Sequence, residues 1–100
     1  MKSIIVILVL FLNMHLNADD WNTFYENSDF KQTPRYIETI DYCRKLAQAS
    51  PKIHYTTFGK SPQRRDLPLL IVDQNGNFTP ESVRNTDNIV FFIQAGIHSG

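Results

Sequence analysis

The run Ile89-Val90-Phe91-Phe92-Ile93-Gln94 constrains this chain more than any other segment. It is rich in β-formers, apolar almost throughout, and bounded by Asn85-Thr86-Asp87-Asn88 before it and Ala95-Gly96 after it. Such a run reads as a strand buried on both faces, as in the middle of an α/β sheet. It therefore predicts a strand over 89–94 that needs neighbours on either side. A single small hairpin does not supply them.

The segments upstream alternate in the way an α/β fold requires. Thr33-Pro34 predicts a helix start, because a threonine hydroxyl can accept from a free backbone amide and proline suits the first helical position. Ile37, Ile40, Cys43 and either Leu46 or Ala47 then recur at spacings of three and four, which places one apolar stripe along the helix. Ser50-Pro51 ends it, since the residue before proline is pushed out of helical geometry. Ile53 to Phe58 and Leu67 to Val72 predict two strands pairing as antiparallel neighbours, with the turn cluster Gly59-Lys60-Ser61-Pro62-Gln63 between them. Asp73-Gln74-Asn75-Gly76-Asn77 is turn chemistry, and Thr79-Pro80-Glu81-Ser82 predicts a second, shorter capped helix.

The first third of the chain has a different character. Lys2 precedes an unbroken apolar run, Ile4 to Leu12, then the more polar Asn13 to Ala18 and Asp19-Asp20. That order of charge, apolar core and polar flank predicts a secretory signal peptide over 1–18 and a secreted or periplasmic product. A membrane span needs about 20 apolar residues, so no stable membrane anchor is expected. Residues 19–32 carry Trp21, Phe24, Tyr25 and Phe30 without a clean period and read as an irregular lead-in whose aromatics dock by packing.

Charge excludes more than it suggests. Ten Lys and Arg balance ten Asp and Glu, with no basic stripe to follow a nucleic-acid backbone and no acidic tail. The single cysteine, Cys43, has no partner within these residues for a disulfide, and its helical position reads as a small core side chain. His15 falls in the leader and His54 in a predicted strand, so neither belongs to a local metal motif.

His98 is different, because it follows the buried strand and the Ala95-Gly96 turn directly. Together with that ending, the upstream segments Thr33-Pro34-Arg35-Tyr36, Phe58-Gly59-Lys60-Ser61 and Arg65-Asp66-Leu67-Pro68 occur in an order that resembles the amino-terminal part of the zinc carboxypeptidases. The resemblance covers about residues 33–100, and Gln94-Ala95-Gly96-Ile97-His98-Ser99-Gly100 is its most specific part.

What the resemblance implies can be stated residue by residue. The fold would be α/β, a mixed central β-sheet flanked by helices, of which residues 33–100 form only the first helix and strands of an incomplete catalytic domain. His98 would be a ligand of a catalytic Zn2+, with a glutamate in the position after Gly100 completing His-x-x-Glu. Catalytic zinc keeps one position for a water whose pKa falls toward about 7. The second histidine, the glutamate general base and the carboxylate-holding arginines would all lie downstream, so no catalytic residue is assigned within these 100. Arg65 matches an arginine that lines the family's substrate groove, while Arg64 stands where the family often has glycine.

The partner so implied is a peptide or protein substrate with a free carboxyl terminus, and the segment alone is expected to be inactive. Two other readings differ in class. One is a zinc deacylase of the related amidohydrolase branch, separated from a carboxypeptidase by the downstream arginines. The other is a secreted non-catalytic binding module, which a residue other than glutamate or aspartate after Gly100 would favour.

Overall fold

A computed structural model describes residues 20–96. The expected signal peptide and the Ile97 to Gly100 ending that holds His98 lie outside the described residues. The elements, in chain order, are α1 (Phe24–Asn27), α2 (Tyr36–Ala49), β1 (Ile53–Lys60), β2 (Asp66–Val72) and α3 (Pro80–Arg84). Contacts divide the chain into two units, residues 1–33 and 34–100.

In the first unit the lead-in is more ordered than an irregular segment. Thr23-x-x-Glu26 forms a capping box: the Thr23 hydroxyl accepts from the Glu26 amide at 3.3 Å and the Glu26 carboxylate accepts from the Thr23 amide at 2.7 Å. Both satisfy donors that a helix start leaves without partners, and the bond from Thr23 holds the Glu26 carboxyl below its ordinary pKa. After α1, Asp29 and Phe30 take left-handed backbone, φ 58° and 60°. The Ser28 hydroxyl donates to the Tyr25 carbonyl and accepts from the Lys31 and Gln32 amides, closing the turn. Phe30 then meets Tyr25 edge to face at 5.4 Å.

The second unit is built on α2 and the hairpin. The helix begins two residues later than Thr33-Pro34 predicts. Arg35 is the residue before its first turn, and the Glu38 carboxylate, at 2.6 Å from the Arg35 amide, closes that end. Arginine has no acceptor, so Glu38 alone supplies the capping oxygen. The predicted stripe is present but unequal: Ile40 is buried, Cys43, Leu46 and Ala47 are half-buried, and Ile37 is exposed. Cys43 has no disulfide, and burial pushes its thiol pKa up, as suits a packing side chain rather than a reactive one. Ser50 ends the helix in extended backbone ahead of Pro51.

β1 and β2 pair antiparallel, as their sequences predict, with Ile53 opposite Val72 and Lys60 opposite Asp66. The ladder carries one irregularity between Thr57 and Gly59, where Phe58 is extra. A bulge of this kind sets two residues against one and shifts the facing of everything beyond it. Without it Gly59 rather than Lys60 would oppose Asp66. The strand is thus two residues longer than the Ile53 to Phe58 run, and the turn moves to residues 61–65. α2 packs on both strands, and Arg44 reaches across from the helix to the Tyr55 ring at 5.6 Å. Downstream, α3 is capped by Thr79 with Pro80 in its first turn, as its sequence predicts.

One expectation fails in form. Residues 87–96 belong to no helix or strand, so the predicted strand over 89–94 is absent among the described residues. Ile89, Val90, Phe91, Phe92 and Ile93 are 73 to 89% exposed. The reason is physical: a strand exists only through a partner ladder, and the free edge of β2 is not bonded to this segment. The fold class stands as α/β, helices plus a two-stranded antiparallel sheet.

Five consecutive exposed apolar residues without proline or charge are a strong site for intermolecular strand pairing. Residues 20–100 produced alone are therefore expected to aggregate, and Val90→Lys with Phe92→Lys to reduce that aggregation. Light scattering at matched concentration checks this; a soluble wild-type monomer with a sharp cooperative melt would contradict it.

Candidate functional site

Two regions of the second unit carry polar chemistry, and they flank β2. At its start, the turn between the strands is fixed by its own backbone: the Ser61 amide donates to the Arg65 carbonyl and the Arg64 amide to the Ser61 carbonyl, both at 2.8 Å. The Ser61 hydroxyl also accepts from the Arg65 amide at 3.2 Å. This closure requires left-handed backbone at Arg64, φ 60°. Glycine meets that requirement without steric cost, whereas an L side chain is strained by about 1–2 kcal/mol.

The three cations of this turn are not equivalent. Lys60 pairs with the Asp66 carboxylate, which holds the ammonium above its ordinary pKa. Arg65, which could have been the partner of Asp66, instead lays its guanidinium over the Tyr36 ring, 5.4 Å from the ring centre. Tyr36 is in turn anchored, its hydroxyl donating to the Asp66 carbonyl at 3.0 Å. Arg65 is exposed and forms no ion pair among the described residues. Its charge remains available to an acceptor from outside.

Beyond the other end of β2, Asp73 organises the loop that leads toward the 89–96 segment. One carboxylate oxygen accepts from the Asn75 amide at 2.7 Å, the Asn77 amide at 3.1 Å and the Asn77 side chain at 3.2 Å. The other accepts from the Asn88 side chain at 3.4 Å. Backbone donation from Asn77 and Asn75 holds the Asp73 carboxyl below its ordinary pKa. Gly76 supplies the left-handed residue of this turn, φ 77°. An open groove of about 470 Å³ follows, with Leu70 and Val72 on one wall and Ile89 to Ile93 on the other. Its lining is mainly apolar, with Asp73, Asn77 and Asn88 as its polar members.

The residues singled out from sequence thus separate. Arg65 sits on the β1–β2 turn, and His98 lies outside the described residues. His54 stacks on Phe78 at 5.3 Å, a packing contact. Among the described residues no three His, Cys, Asp or Glu side chains gather as a metal site, and no helix is long and apolar enough to cross a membrane. Sequence reasoning missed Tyr36 and Asp73 as organising residues. For Asp73 the Asp-x-Asn and Asn-Gly spacing was an available signal; for Tyr36, far from Arg65 in sequence, none existed.

Arg64→Gly should stabilise the protein by about 0.5–1 kcal/mol, the relieved strain being offset in part by glycine's greater freedom when unfolded. Urea unfolding checks it, and an unchanged or lower midpoint would contradict it. Asp73→Ala should destabilise, with a pH dependence of fixed sign. Because the folded-state pKa of Asp73 is depressed, its contribution is complete above the unfolded value of about 4 and is lost as pH falls through the folded value. Wild type and Asp73→Ala should therefore converge in acid; a gap that persists or widens there would exclude the role of the carboxylate.

A family model described as zinc carboxypeptidase matches residues 39–100. No curated protein matches the chain, and no solved structure does.

Proposed function

The chain belongs to the zinc carboxypeptidase family, and from that premise we propose that it forms the front of an exported hydrolase that removes residues from the carboxyl ends of peptides. The observation that carries this is the family match itself, which runs from α2 through both strands to His98 and Gly100. Family membership supports a metallopeptidase of the hydrolase class; the roles of individual residues are our reading.

In that reading His98 would hold Zn2+ through an imidazole nitrogen, a donor well matched to this borderline-soft ion. Three protein ligands are usual at catalytic zinc, and the family resemblance implies that a glutamate after Gly100 and a second histidine would supply the other two. Bound zinc would supply Lewis acidity and a water activated at neutral pH. Arg65 serves the substrate: its planar donors suit a carboxylate or a main-chain carbonyl better than an ammonium would. It positions the peptide without taking part in proton transfer. Export is proposed on the 1–18 pattern of Lys2, the apolar run Ile4 to Leu12 and the small Ala18.

One preparation of the full-length protein tests the reading. Collected from outside the cytoplasm, it should begin near Asp19, contain zinc, and cleave amino-blocked peptides that have a free carboxyl terminus. Chelation should abolish cleavage. His98→Ala should lower zinc affinity and turnover by more than about 100-fold, the upper end of the loss caused by removing a mere supporting partner of a metal ligand. Cleavage that survives both chelation and His98→Ala would overturn the assignment.

A further inference from the structure

We propose that Tyr36 is a positioning residue for substrate binding, a pedestal that holds the Arg65 guanidinium ready for its ligand; this rests on the substrate role given to Arg65 above. Every other degree of freedom around Arg65 is already committed. Its amide donates to the Ser61 hydroxyl, its carbonyl accepts from the Ser61 amide, and the preceding residue is locked in left-handed backbone. The neighbouring carboxylate is taken by Lys60. What remains is the long Arg65 side chain, and its guanidinium lies over the Tyr36 face.

The ring is held at both ends, which makes it a support rather than a chance neighbour. Its backbone begins α2, and its hydroxyl is bonded to the Asp66 carbonyl, on the residue that follows Arg65. A guanidinium lying over a ring keeps its N–H donors pointing outward in its own plane, free for a carboxylate or carbonyl. Arginine otherwise loses much rotamer freedom when it binds. Docking on Tyr36 removes part of that loss in advance, so the effect belongs in substrate affinity and not in the chemical step.

The test is a double-mutant cycle on the full-length zinc enzyme with an amino-blocked peptide substrate. Tyr36→Leu should raise KM about two- to five-fold with kcat retained, the scale of an exposed cation–π contact. Tyr36→Phe, which keeps the face and loses the hydroxyl, should restore most of the affinity. In the Arg65→Ala background Tyr36→Leu should have no further effect. Tyr36→Met, which fills the same place without an aromatic face, should match Tyr36→Leu, so the question is answered even if one of the two folds poorly. An equal rise in KM with and without Arg65 would overturn the pedestal while leaving Arg65 in its role, and so would a wild-type KM for both Tyr36→Leu and Tyr36→Met. A wild-type KM for Arg65→Ala would remove the substrate role of Arg65 and the inference with it.

Discussion

The second unit depends on the packing of α2 across the β1–β2 hairpin. Ile40 is the one buried apolar side chain among the described residues, and it comes from the face that the helix turns inward. A two-stranded hairpin is marginal by itself in water, so the helix is what makes the hairpin worth forming. The Arg44 contact on Tyr55 and the Tyr36 bond to Asp66 brace the helix near either end of the sheet. The Arg65 turn acquires its geometry from that brace. Neither the turn nor the guanidinium would have a fixed place on an unsupported hairpin.

Local chemistry was readable from the sequence wherever the deciding groups are close along the chain. The Ser50-Pro51 stop, the antiparallel pairing of the two strands and the Thr79 cap all follow from residues within a few positions of one another. The start of α2 did not follow, because two capping arrangements compete there and Glu38 wins over Thr33 by closing on the Arg35 amide. The Thr23-x-x-Glu26 box was written in the sequence but hidden by the aromatics around it. Residues 89–94 failed for the opposite reason: their composition fits a strand, but strand formation is a property of a pair.

The candidate site was legible to the same degree. Arg65 was reachable only through its resemblance to the family's arginine after the serine turn, and its substrate role stands as our proposal; the family match covers that turn together with His98. Its partner could not be named, since Tyr36 reaches it only through the fold. Arg64 stands where the family often has glycine, and it takes left-handed backbone, so that arginine bears the strain there.

The bulge at Phe58 divides β1 into two frames. Ile53, Tyr55 and Thr57 share a face under one count, and Gly59 and Lys60 obey another, displaced by one residue. Length changes along this strand are therefore unequal. Loss of a residue before Thr57 would exchange inside for outside over the half that meets the helix. Loss of Phe58 itself would remove the one position of β1 without a cross-strand partner, leaving Thr57 opposite Pro68 and Lys60 opposite Asp66 in one regular ladder. The ladder tolerates a miscount at one point only, and that point separates the packed half of the hairpin from the half that carries the charged turn.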